Sequence, residues 1–120
     1  MRSDAAAGFA VVAILAAGCS RGPREFGSAV GATAPLPLKS VAAGRAPADE
    51  LLTVEGTLEE ICPAAGCWAW IGDGGAKLRL EFIDFTLGRE CRGSRCRAVG
   101  KLKSGADPPA LMVRGLKLLP

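Results

Sequence analysis

From residue 49 onward, apolar and polar positions alternate in short runs separated by glycine- and proline-rich breaks. Over residues 51–61, Leu52, Val54 and Leu58 share one face, while Thr53, Glu55, Thr57 and Glu59 share the other. That period of two is the signature of a half-buried β-strand. Gly56, in the middle of the run, predicts a bend or bulge. A turn at 63–66 leads to a second strand at 67–71. A glycine turn at 72–75 leads to a third at 77–82, with Leu78, Leu80 and Phe82 inward. A long loop over 83–95 precedes a fourth strand at 96–103. A turn at 104–109 precedes a fifth at 111–119.

A long first strand, a tight hairpin between the second and third, and the longest insertion before the fourth predict an all-β fold. The expected form is a five-stranded OB-like small barrel, the oligonucleotide/oligosaccharide-binding architecture. An open meander is the competing arrangement, and closure has the advantage of leaving no unpaired edge. The expected domain, 49–120, is small enough that its core is marginal without a staple.

The first 48 residues have a different texture. Residues 5–17 are an apolar or small-residue run following Arg2, and Gly18-Cys19 closes it. The run is shorter than the roughly 20 residues needed to span a bilayer and matches the apolar region of a signal peptide. Leu15-Ala16-Ala17-Gly18-Cys19 resembles the lipobox of bacterial lipoproteins, with Leu15 one residue further from the cysteine than usual. That resemblance implies cleavage after residue 18, lipidation of Cys19 and a membrane partner reached through the acyl chains. Ser20 behind the cysteine implies a bacterial envelope location, at the outer membrane and facing the periplasm. Residues 19–48, rich in Ala, Gly, Pro and Ser, lack sustained apolar periodicity and read as a lipidated flexible tether. Phe26, Val30 and Leu36 are the residues in it able to dock. The expected organisation is therefore signal peptide 1–18, tether 19–48 and OB-like domain 49–120.

Four further cysteines fall in two matched pairs, Cys62-x4-Cys67 and Cys91-x4-Cys96, which the strand order puts at one end of the barrel. Two structural disulfides suit an oxidising compartment and a small core, and the spacing leaves three connectivities open. A four-thiolate zinc site is the alternative, with the right donor count but unusual spacing. Redox exchange is the third reading, and the interleaved Arg89, Arg92, Arg95 and Arg97 would favour thiolates in either of the last two. No other cofactor is indicated.

Composition narrows the chemistry. With no His and no Tyr in the chain, Ser-His or Cys-His nucleophilic catalysis and His-ligated metal are excluded by inventory. Glu59, Glu60, Glu81 and Asp84 have no spacing that enforces an acid/base pair, so no enzyme is expected. A net charge of +3, with both signs interspersed, falls short of a nucleic-acid-binding stripe, and no nucleic-acid partner is expected. Trp68 and Trp70, two apart on one strand, share the face that Lys77 and Arg79 occupy across the hairpin, together with Glu81. That is the usual OB binding platform. In an exported protein its ligand or partner would be an envelope glycan, a lipid or a protein. The plainer reading is that the indoles pack against neighbouring chain, and a register shift at Gly56 or Glu59-Glu60 would turn them inward.

The run from Val54 to Trp68, ending Cys62-Pro63-Ala64-Ala65-Gly66-Cys67-Trp68, resembles a family of small uncharacterised bacterial lipoproteins with an OB-like domain. A cysteine pair ending in Gly-Cys-Trp is the signature of that family. Phe82 and Asp84-Phe85 are similar to its following strand. The resemblance spans about residues 52–86, implies fold and location, and supplies no activity; Cys91 and Cys96 have no counterpart in it. The expected function is a non-enzymatic, lipid-anchored envelope lipoprotein binding a small ligand or partner, with thiolate metal binding as the alternative.

Overall fold

The computed structural model describes residues 24–120. The signal peptide, Cys19 and the first part of the expected tether lie outside the described residues. Six strands run β1 (Glu25–Gly27), β2 (Leu52–Ile61), β3 (Trp68–Asp73), β4 (Ala76–Phe82), β5 (Arg95–Leu102) and β6 (Ala110–Leu118). Among the described residues, one short helix, α1 (Leu38–Ala42), precedes β2, and one 3-10 turn covers Arg89–Cys91.

Strands β2 to β6 close on themselves. β2 pairs antiparallel with β3, β3 with β4, and β5 with both β2 and β6, while β4 and β6 run parallel. The circuit β2-β3-β4-β6-β5 is a closed five-stranded OB-like barrel, and β1 is added outside it on the edge of β6. The first long strand makes closure possible by changing partners along its length. It pairs with β5 from Leu52 to Thr57 and with β3 from Thr57 to Ile61. Gly56 sits at this changeover, where a Cβ would stand 2.9 Å from the Gly72 carbonyl oxygen and 3.4 Å from the Ile71 Cβ. Any side chain there would block the bend.

A bulge at Glu59 settles which side of the sheet faces inward. Leu58 pairs with Ile71 and Glu60 with Trp70, so Glu59 is the extra residue. Without it, strict alternation would carry Glu60 into the barrel and turn Ile61 out. With it, Ile61 joins Leu58, Ile71, Leu78, Leu80, Leu111 and Leu116 in the core, and both indoles stay outside. The irregularity flagged from sequence is therefore present, and it preserves the outward face.

The segment expected as a flexible tether is ordered structure over residues 24–48. β1 pairs with β6, Glu25 opposite Lys117 and Phe26 opposite Leu116. Phe26 stacks on Phe85 with 6.1 Å between ring centroids, and Phe85 on Phe82 at 4.9 Å. Leu36 N–H donates to the Thr53 carbonyl at 2.8 Å. Leu38 and Val41 belong to the core cluster, Val30 is buried, and Leu36 is the exposed one. The correction has a physical reason. Leu38 and Val41, three apart, make one apolar stripe on a single turn of helix. A stripe that short has no periodicity to read, yet its burial adds to a barrel whose own core is small.

Candidate functional site

The outer face of β3 and β4 is built by strand parity. Ala69 and Ile71 point inward and are fully buried, which sends Trp68 and Trp70 outward, each half-buried. Register places Trp68 opposite Glu81, Trp70 opposite Arg79 and Gly72 opposite Lys77. The Arg79 guanidinium carbon lies 4.8 Å from the Trp68 ring centroid, a cation–π contact. Arg79 Nε donates to Glu81 Oε2 at 3.2 Å, and Lys103 Nζ donates to Glu81 Oε1 at the same distance. Burial pushes the Glu81 carboxyl upward, but its hydrogen bonds to Lys103 and Arg79 and the charges of both hold it below the ordinary carboxylate range. Lys77 turns away from the indoles to Glu59, 3.4 Å from its Oε1. Of the residues singled out from sequence for this surface, Trp68, Trp70 and Arg79 converge and Lys77 stands at the margin. Lys103, added from β5's end, was not foreseen; only the closure of β5 beside β6 and β4 brings it near.

The cysteines fall out differently. Both pairs lie toward one end of the barrel, where Leu87 N–H donates to the Gly66 carbonyl and Gly93 N–H to that of Leu58. Cys62, Cys67 and Cys96 are free thiols in this structure, so no disulfide joins any two of these three. Strand parity sets Cys96 apart. Arg95 and Arg97 flank Cys96 on the outside of β5, so Cys96 points into the core and is fully buried. Desolvation there pushes its thiol up to about 12. Cys67 is exposed on the turn at the barrel end. Cys91, in the 3-10 turn, is buried. Among the described residues no three His, Cys, Asp or Glu side chains gather as a metal site.

Cys62 occupies a setting that residue spacing did not reveal. It closes β2, its N–H donating to the Trp68 carbonyl at 3.0 Å, and its carbonyl accepts from Gly66 N–H at 3.1 Å. The intervening turn wraps back over this end of the strand. The Ala65 N–H has the largest effect in lowering the thiol pKa; burial opposes it, and the amides of Ala64, Gly66 and Cys67 add to it, bringing the thiol down to about 7. Gly66 makes this wrap possible with φ of +68°, and a Cβ there would collide with the Leu87 carbonyl oxygen. A Pro-x-x-Gly turn directly after a cysteine is the signal that could have found it. A cleft of about 680 Å³ opens alongside, with Ile61 and Pro63, the two neighbours of Cys62, in its wall beside Glu59, Glu60, Arg89 and Arg92.

Among the described residues no helix is long and apolar enough to cross a membrane. Comparison of the chain with protein-family models and with curated proteins finds no match to either.

Proposed function

We propose that this chain is a non-enzymatic, lipid-anchored envelope lipoprotein whose OB-like barrel binds a small envelope ligand or partner on the Trp68/Trp70 face. The observation that carries the reading is the pair of half-buried indoles on one strand, with the Arg79 guanidinium over one of them. The barrel interior is filled by leucine, isoleucine and valine side chains, so recognition falls to the surface. On that surface, flat apolar rings are bordered by the donors and acceptors of Arg79, Glu81 and Lys103. Such a mixture suits a glycan best, its C–H faces stacking on indole and its hydroxyls meeting the charged rim. OB barrels use this sheet face for oligosaccharides as well as oligonucleotides, and an exported protein meets the former. Lipidation at Cys19 rests on the lipobox resemblance of residues 15–19.

The test titrates the protein with soluble envelope glycans, and separately with anionic lipid vesicles, while following tryptophan fluorescence. Saturable change with glycan, lost in Trp70→Ala, is the expected result. Identical binding by wild type and Trp70→Ala would overturn the reading. For the anchor, Cys19→Ala is expected to move the protein from the membrane fraction to the soluble one; unchanged partitioning would remove the lipid anchor from the proposal.

A further inference from the structure

The barrel wall opposite the indole face is only partly covered. β3 carries the indoles and pairs with β2 and β4, so β5 and β6 form the far side of the circuit. On that side the segment before α1 crosses the outer surface. Ser28 N–H donates to the Arg114 carbonyl, the Gly31 carbonyl accepts from Arg97, and Leu36 N–H donates to the Thr53 carbonyl. Thr53 and Val99, paired across β2 and β5, are buried although they point out of the barrel. Beyond this crossing the wall is bare. Leu51, just before β2, is 52% exposed, and Ile83, just after β4, is 39% exposed. Ile83 is tied to β6 by its N–H to the Val113 carbonyl at 2.9 Å. Both side chains, with Met112, Lys101 and Arg114, line one hollow of about 360 Å³. Lys101 and Met112 are partners across β5 and β6. Lys101 and Arg114 are exposed, and among the described residues neither makes an ion pair. Asp84 lines the adjoining hollow with Ile83 and Arg114, so two cations stand against one carboxylate and the patch is positive.

We propose that this patch on the β5–β6 wall is a docking surface for a bilayer of anionic phospholipid. Leu51, Ile83 and Met112 enter the headgroup layer. Lys101 and Arg114 lay their methylene stems beside them and hold their charges against lipid phosphates. The inference rests on the membrane anchorage proposed above and gives it an orientation. With β5 and β6 toward the bilayer, the Trp68/Trp70 face on β3 is turned away from lipid and left open to glycan. Charge selects a lipid surface over a second copy of the chain. A two-fold contact between identical patches would set Lys101 and Arg114 of one copy against those of the other, and like charges repel across such a contact. An anionic surface neutralises both at once. Three apolar side chains and two cations hold a barrel weakly and reversibly, which suits a surface that orients a domain already anchored.

The experiment places the full nitrogen-15-labelled chain on two kinds of nanodisc, phosphatidylcholine alone and phosphatidylcholine mixed with phosphatidylglycerol. Each carries a trace of lipid with a paramagnetic headgroup. On the anionic discs the backbone amides of Leu51, Ile83, Lys101, Met112 and Arg114 are expected to broaden, while those of Trp68 and Trp70 stay sharp. High salt should restore the patch signals by screening its charges. The double variant Lys101→Glu with Arg114→Glu changes two exposed side chains and is expected to keep the wild-type Tm but lose the broadening. A chain held on both discs with its patch amides sharp would overturn the docking surface and leave the anchor standing. A chain that binds neither disc would overturn both. Broadening at Trp68 and Trp70 in place of the patch would put the bilayer on the indole face and overturn the orientation. Patch signals that move with protein concentration in the absence of lipid, and not with lipid, would assign the surface to a second copy instead. Equal broadening on neutral and anionic discs would refute the role given to Lys101 and Arg114.

Discussion

Replacing Leu38 by Ala asks whether the segment before β2 is part of the domain. Leu38 retains 3% of its surface and packs in the same cluster as Leu52, Leu78 and Leu80. Leu→Ala changes in cores cost roughly 2–5 kcal/mol, from lost transfer energy and from the cavity left behind. α1 is five residues long and held by few backbone bonds, so it can settle into part of the space. The lower half of the range, about 2–3 kcal/mol, is therefore expected. For a domain of this size each kcal/mol moves Tm by roughly 4–8 °C, so a loss of about 8–24 °C should be seen. The assay is urea unfolding of wild type and variant followed by tryptophan fluorescence, with a thermal scan beside it. The midpoint should fall with the slope unchanged. A change below about 0.5 kcal/mol, the usual surface value, would refute docking of the segment and restore the flexible tether.

Three other outcomes follow from the packing and the charges. Cys96 is held near 12 in the folded chain against 9.0 for an ordinary thiol; the unfolded chain therefore loses this proton first, and stability should fall as pH rises between about 9 and 12. Cys96→Ala should abolish that alkaline limb in pH-dependent urea titrations, and its persistence would show another group responsible. Arg79→Ala removes the cation over Trp68 and should cost about 0.5–1 kcal/mol, with a change in fluorescence maximum; identical spectra would mean the contact is not populated in solution. Glu55→Gln weakens the cross-strand pair in which Arg97 Nε donates to Glu55 Oε2 at 2.6 Å. Both partners are partly exposed, so about 1 kcal/mol is expected, shrinking in high salt, and a loss insensitive to salt would contradict an ionic origin.

Much of the barrel was legible because alternation is a local property. Leu52, Val54 and Leu58 on β2, and Leu78 and Leu80 on β4, declare their faces within a few residues, and Gly56 marks the bend. The placement of Trp68, Trp70 and Arg79 on one outer face followed from the same parity, helped by a bulge at Glu59 that returns Ile61 to the core. Features made by distant pieces were not legible. Phe26 finds Phe85, and Leu38 finds β2 and β4, only after the barrel exists to receive them. Residues 24–48 contain too few apolar positions to announce an element on their own. The separate settings of the cysteines were not legible for a related reason. Equal spacing suggested equal roles, but Cys96 lies inside a strand whose flanking arginines fix it inward, while Cys62 follows the end of a strand and opens the turn that leads to Cys67. Spacing along the chain carries no information on that difference; parity and turn chemistry do.

The central claim, that recognition takes place on the Trp68/Trp70 face, is most directly tested by the two indole N–H resonances in a nitrogen-15 spectrum. The chain has two tryptophans, so each signal is assigned by one substitution. On titration with envelope glycans, both indole signals and the backbone amides of Trp68, Trp70, Arg79 and Glu81 are expected to shift together and saturate. Core amides such as those of Leu58 and Leu111 should stay in place. Saturable shifts confined to other surfaces, with both indole signals unmoved, would contradict the account.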